Sequence, residues 1–405
     1  MNVRLWTRNF IFLLCSNALM FGGFHILLPT LPLYAASNGA TGTQIGVITG
    51  IFGLSAIFIR FFTDFGIKRL GKKNCLFVGL AINVICTASY AVFSSVEGMI
   101  ATRIFHGFGF GMTTTFYAAI ASDIVPYTRR GEGMGYFGLG STVAMALAPA
   151  AGVWLVKDYG FVAMFMVAAI GTAIALIGTG FCSVPRDIVV PETAQEKPNS
   201  LLSKLFERGT GFPAFLTILF GLGYGSVNTF VAMLAQEAHI ANAGYFFLLG
   251  TLCVFLSRPL GGRLFDSKGP AWIILPGAIL LLSGLVLLTK TTSLIMLLGV
   301  AVLYGFGGGF LLPSLLTWML NLVQSNRRSS ASATFYNMLD VGTSAGAILL
   351  GAVAEKTGFI SMYMYSAGGM GIFLLAFVLY VLIYGNTGTN QQQEVDSVEL
   401  AQSVE

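Results

Sequence analysis

Between residues 9 and 384 the chain is a succession of apolar runs, each closed by a short polar cluster. The runs fall at approximately 9–34, 44–65, 74–94, 98–122, 131–156, 160–182, 212–236, 242–265, 271–289, 293–322, 330–354 and 358–384. Most reach the length needed to cross a bilayer core as helix, about 20 apolar residues. The pattern predicts twelve transmembrane helices and an all-α integral membrane protein. The first run follows Arg4 and Arg8 and passes a signal-like "YAAS". It exceeds the roughly 7–15 apolar residues of a secretory signal, and its removal leaves an odd number of spans, so it is read as the first helix.

Composition agrees: of 405 residues 55% are hydrophobic and 10% charged, where soluble domains carry roughly 25% charge. The net charge of +5 matters through its distribution. With the N-terminus inside, the inner segments and adjoining helix ends carry eighteen Lys and Arg and the outer loops only Lys157, Lys290 and Lys356. This bias places both termini in the cytoplasm. The five cysteines lie in apolar runs at irregular spacing, which argues for packing residues rather than a disulfide frame or a zinc knuckle.

The chain also repeats itself. "SRPLGGRLFDSKG" at 257–269 is a distorted copy of "IRFFTDFGIKRLGKK" at 59–73, with Arg258 on Arg60, an offset of 258 − 60 = 198. The same offset lays "YGFGGGF" at 304–310 on "HGFGFGM" at 106–112, Arg327-Arg328 on Arg129-Arg130, and Phe335 on Phe137. The expected organisation is a six-helix bundle over 1–182, a Pro-containing and charged cytoplasmic linker over 183–211, a second six-helix bundle over 212–385, and a polar, disordered cytoplasmic tail over 386–405. Two like halves about an axis along the membrane normal form a transporter plan with the ligand held at the midplane.

Through these residues the chain resembles the major facilitator superfamily, and within it the twelve-helix drug/proton antiporter group. The resemblance covers essentially the whole chain. It rests on the loop between the second and third spans, whose family pattern is roughly G-x-L-x-D-R-x-G-R-K, on "RIFHGFGFG" in the fourth span, and on "GLGSTVAMALAPAAG" at 138–152. The last is similar to an exporter signature in which Gly140, Pro149 and Gly152 take part, with Ala148 where Gly usually stands before the proline. "LLPTLPLYAASNGATGTQIG" is also similar to that group. The second loop copy keeps Gly262, Leu264, Asp266 and Gly269, whereas the first keeps Arg69, Gly71, Lys72 and Lys73 and has lost the acid. The resemblance implies a gating set of Arg60, Asp64, Lys68, Arg69, Arg130, Arg258, Asp266 and Arg328, in which Asp266 faces the helix start near Arg130 and the first loop the one near Arg328. Asp64, one turn before Lys68, either replaces the missing acid or pairs with that lysine.

A charge within hydrocarbon costs on the order of 2.5–3.5 kcal/mol even on lenient scales, so such residues mark cavities and function. Asp340, about ten residues into the eleventh span and near Tyr336, Asn337 and Ser344, is the leading proton carrier; a static hydrogen-bonded acid is the alternative. His25 and His106 are further titratable candidates, weighed against ordinary hydrogen-bonded histidines. Arg103 matches the family's arginine, and helical spacing puts Phe110, Thr114 and Tyr117 on nearly the same face. That face is expected to line the substrate cavity together with Asn17, Asn228, Tyr304, Trp318, Tyr336 and Asn337. The repeated glycines read as small-xxx-small packing contacts.

"GTSAG" at 342–346 matches a nucleophile elbow formally, but all three histidines precede Ser344 and the segment is membrane helix, so an enzyme is excluded. No G-x-x-x-x-G-K-[ST] motif occurs, and no metal-ligand spacing, so neither cofactor nor resident metal is expected. The expected function is proton-coupled efflux of small molecules by alternating access, a multidrug-resistance type of antiport, performed by a monomer in a bacterial inner membrane. Its partners are the small-molecule substrate, protons and the bilayer, with no nucleic acid. The alternatives are a dedicated metabolite or metal-chelator exporter, an importer of the same fold, or a non-transporting sensor or scaffold.

Overall fold

The structure, a computed structural model, describes residues 5–126, 129–182, 206–207, 209–323 and 327–385. The linker residues 183–205 and the tail from 386 lie outside the described residues. Helices run over Arg8–Ser37 (α1), Gly42–Arg60 (α2), Thr63–Ser89 (α3), Val96–Ile124 (α4), Gly211–Glu237 (α7), Gly244–Lys268 (α8), Ala271–Leu288 (α9) and Leu294–Asn321 (α10). Two longer helical stretches, Arg130–Gly180 and Arg328–Tyr384, each contain one non-helical glycine. Gly160 divides the first into α5 (130–159) and α6 (161–180), and Gly358 divides the second into α11 (328–357) and α12 (359–384). Nine helical stretches among the described residues are long and apolar enough to span a membrane, the two broken ones counted once each. The helix missing from that set is α4, which carries Arg103, His106 and three successive threonines.

The breaks repeat with the offset seen in the sequence. Gly160 (φ 83°, ψ 172°) and Gly358 (φ 81°, ψ 170°) are 198 residues apart, as are Gly71 (φ 77°, ψ 159°) and Gly269 (φ 84°, ψ 176°). A positive φ with an extended ψ is essentially closed to residues with a Cβ, so glycine is the residue that permits each break.

The copied loop folds differently in its two positions. The expected spans 44–65 and 74–94 leave 66–73 as a loop, yet α2 stops at Arg60 and α3 begins at Thr63, with Gly71 as its break. Thr63 Oγ1 donates to the Arg60 carbonyl at 2.8 Å, satisfying locally a group that helix continuation would otherwise use. In the second copy α8 continues without a break to Lys268, and Gly269 N–H closes it on the Phe265 carbonyl at 2.8 Å.

The chain forms two compact units, Met1–Gln195 with Asn228–Met233, and Glu196–Val227 with Leu234–Glu405. In the first, α1 packs along α5, and α4 packs against α2 and α3. In the second, α10 packs against α8 and α9. The glycines of α4 and α10 explain the close approach. A Cβ on Gly107 would meet the Phe52 carbonyl and Ser55; one on Gly305 would meet the Gly250 carbonyl and Cys253. Gly109 faces Gly79 and Asn83, and Gly307 faces Gly277 and Leu281. Every partner is shifted by the same 198 positions, so both units use one backbone packing scheme.

Candidate functional site

Arg103 and His106 sit one turn apart on α4 and point into the interior of the first unit. Arg103 is 1% exposed. Its guanidinium lies over the Phe52 ring of α2, 4.5 Å from the centroid, and its titratable neighbours are Tyr90 and Cys86 of α3. Nε and Nη1 have no hydrogen-bond partner among the described residues. His106 Nδ1 is 3.3 Å from the Tyr90 hydroxyl, and its ring meets Phe52 edge-on at 5.3 Å. Burying an ion costs several kcal/mol after relaxation, whereas a cation–π contact returns about 0.5–2 kcal/mol. Phe52 therefore cannot offset the burial of Arg103, and the titratable groups acting on the guanidinium among the described residues, Tyr90 and Cys86, include no carboxylate.

His25 of α1, also buried, joins the same region through aromatic rings. It stacks on Phe21 at 6.1 Å and meets Phe24 at 5.0 Å; Phe24 stacks on Phe52 at 4.8 Å. Phe110 packs on Phe24 and Phe52 at 4.4 and 5.1 Å. Thus His25, Arg103, His106 and Phe110 belong to one cluster. Thr114 instead bonds back to the Phe110 carbonyl at 2.9 Å. Tyr117 is fully buried, its hydroxyl 2.9 Å from Thr179 Oγ1 on α6, and Asn17 is buried on α1. Phe52, Cys86 and Tyr90 were missed by sequence reasoning. The available signal was the spacing Asn83, Cys86-Thr87, Tyr90, which puts polar groups on one face of an apolar span.

In the second unit Asp340 is half-buried near the middle of α11, and Thr343 Oγ1 donates to its backbone carbonyl at 3.2 Å. Asp340 and Arg258 of α8 are the charged neighbours of Tyr336, which is exposed, while Asn337 is buried. Tyr304 stacks on Tyr224 at 5.3 Å and donates to its carbonyl at 3.4 Å. Trp318 lies inside an aromatic group with Phe212, Phe377 and Tyr380. Its indole N–H has no hydrogen-bond partner among the described residues. Asn228 is half-buried on α7.

Of the gating set, Arg60 is half-buried, whereas Lys68, Arg69 and Arg258 are exposed, with Arg69 over the Phe65 ring at 5.2 Å. The side chains of Asp64, Arg130, Asp266 and Arg328 lie outside the described residues. Two ion pairs that sequence reasoning did not anticipate hold neighbouring segments instead. Lys72 Nζ meets Asp123 Oδ2 at 2.6 Å, tying the turn of α3 just after its Gly71 break to the end of α4. Arg327 Nε lies 3.0 Å from Glu207 Oε1, and Glu207 N–H donates to Thr334 Oγ1 at 2.8 Å. Glu207 and Thr210 are buried, so the C-terminal end of the segment expected to be an exposed linker is packed against the second unit, fixed by these bonds. The exporter-signature residues form the α1–α5 contact: Gly140 faces Leu14 and Ala18, Gly152 faces Ile26 and Thr30, and Pro149 is buried. Among the described residues no three His, Cys, Asp or Glu side chains gather as a metal site.

Comparison with known proteins adds a family match. The model of the Major Facilitator Superfamily matches residues 13–210 and 213–402. The staphylopine export protein of Staphylococcus aureus (strain Mu50) is 24% identical over 376 residues, covering 88% of this chain and 91% of the relative. The quinolone resistance protein NorA of S. aureus (strain MRSA252) is 22% identical over 382 residues, covering 92% and 96%. The crystal structure of the nucleoside transporter NupG superposes with a TM-score of 0.74 at 19% identity, covering 92% of this chain and 99% of that one, a likeness of fold.

Proposed function

Because the chain belongs to the major facilitator superfamily and is a multi-pass membrane transporter rather than an enzyme, we propose that it exports small molecules in exchange for protons by alternating access. The carrying observation is Asp340. It is the acid placed farthest from the helix ends among the described spans, about 18 Å along α11 from Arg328 at 1.5 Å per residue. A carboxylate held there is retained against its insertion cost, and exchange of its proton with water on alternate sides couples flux to the gradient. Export is favoured over import by the α5 signature and by the names of the two relatives, an export protein and a resistance protein. The Lys and Arg bias puts both termini in the cytoplasm, the bacterial relatives favour the cytoplasmic membrane, and the paired halves make a monomer sufficient.

The test is gradient-driven flux in proteoliposomes. Asp340→Asn, inserted at the wild-type level, abolishes proton-dependent flux; unchanged flux and pH dependence remove Asp340 from coupling. A dedicated metabolite or chelator exporter, favoured by the staphylopine relative, shows flux confined to one chemical class. Absence of flux for every cargo supports a sensor or scaffold.

A further inference from the structure

The two units provide an internal control. Their helices pack through the same glycines onto equivalent partners, but their interiors differ. Tyr90, Arg103 and Thr113 of the first unit stand where the second has Leu288, Ala301 and Leu311, and all six are buried. The second unit holds the same helix arrangement with apolar side chains at these three positions. The polar seam of the first unit therefore has no packing requirement behind it, and its central residue is a buried cation with two donor nitrogens unpartnered among the described residues. Buried polar groups of folded chains are nearly always hydrogen-bonded, so unpaired donors ask for a ligand. A guanidinium presents its donors as a planar fork matched to a carboxylate.

We infer that Arg103, with the Tyr90 hydroxyl beside it, is a binding site for one carboxylate group. Resting on the transport reading above, that group belongs to the cargo, which is an anionic or zwitterionic small molecule. The Phe52 ring covers the guanidinium, so displacement of this side chain is the step that admits the carboxylate. The second unit has glycine, Gly250, at the position equivalent to Phe52 and Ala301 at that of Arg103.

The probe is acetate, with acetamide as its neutral isostere and sodium chloride as the ionic-strength control. The readout is the thermal midpoint of the purified full-length protein in lipid nanodiscs. Because a ligand of the folded state at free concentration L raises stability by RT ln(1 + L/Kd), acetate gives a rise that grows with the logarithm of its concentration above Kd, and acetamide and chloride do not. Arg103→Gln weakens the acetate effect at least tenfold, Arg103→Lys weakens it severalfold, and Tyr90→Phe weakens it while keeping the ring. If Arg103→Gln fails to fold, the lysine and phenylalanine variants carry the test. An equal rise with chloride, no rise with acetate, or an undiminished rise in all three variants overturns the site. Flux separates the second part: a carboxylate-bearing cargo exchanged faster than its amide supports the assignment to cargo. Gradient-driven flux of neutral and cationic compounds alone, unaffected by Arg103→Gln, overturns that assignment while leaving proton-coupled transport standing.

Discussion

A methyl group added at Gly107 tests the shared packing scheme most directly. In Gly107→Ala the new Cβ points at the Phe52 carbonyl and lies 2.7 Å from Ser55 Cβ; in Gly305→Ala it points at the Gly250 carbonyl and lies 2.7 Å from Cys253 Cβ. Ordinary contact begins at 3.4 Å, so both are short by roughly 0.7 Å (3.4 less 2.7). The obstructing atoms are backbone or Cβ and cannot rotate away, so α4 must part from α2, and α10 from α8. Overpacking of this kind costs about 1–3 kcal/mol. At roughly 2–4 °C per kcal/mol for bundles of this size, each substitution lowers the thermal midpoint by several degrees. Gly171 and Gly371 have nothing within 4 Å of an added Cβ; alanine there gains up to about 1 kcal/mol of helix propensity and does not lower the midpoint. The assay is thermal unfolding of the four purified variants in one detergent. Equal behaviour of the two pairs, or a large loss at Gly107 with none at Gly305, refutes the claim that both units rest on the same contact.

The breaks give a second expectation: Gly160→Ala and Gly358→Ala each cost about 1–3 kcal/mol through φ alone, since neither Cβ meets an atom within 4 Å, and thermal midpoints measured beside Gly171→Ala isolate the backbone effect. Lys72 and Asp123 are partly exposed, at 24% and 35% of their side-chain surface, so a double-mutant cycle with Lys72→Met and Asp123→Asn yields a coupling of about 0.2–1 kcal/mol that shrinks with salt. Arg327→Gln leaves the buried Glu207 carboxylate without its cation and lowers stability by about 1–3 kcal/mol, while Glu207→Gln restores part of that loss in the double variant; a cycle with no coupling refutes the pairing.

Part of the candidate site is legible in the sequence. Arg103, His106 and Asp340 stand out because charge or titratable polarity is rare in apolar runs, a property that needs no tertiary information. Their surroundings are not legible there. Helical spacing puts Arg103 on nearly the same face as Tyr117, but the side chains diverge, Arg103 toward α2 and α3 and Tyr117 toward Thr179 on α6. Phe52 and Tyr90 are ordinary aromatic residues in their own runs and acquire meaning only by meeting Arg103. Likewise, Asp123 and Glu207 look like solvated charges until their cations are brought within reach.

Apolar run length and the internal repeat determined the twelve spans and the two halves, because bilayer thickness acts on local sequence, whereas the glycine breaks between spans appeared only in the backbone conformation. The second and third spans were misjudged at their junction, where a threonine hydroxyl, rather than hydrophobicity, decides the helix end. Tertiary structure alone decided which polar groups are buried together and which lack partners. That depends on contacts between helices tens of residues apart in the chain, and no local rule encodes the distance between Arg103 and Phe52.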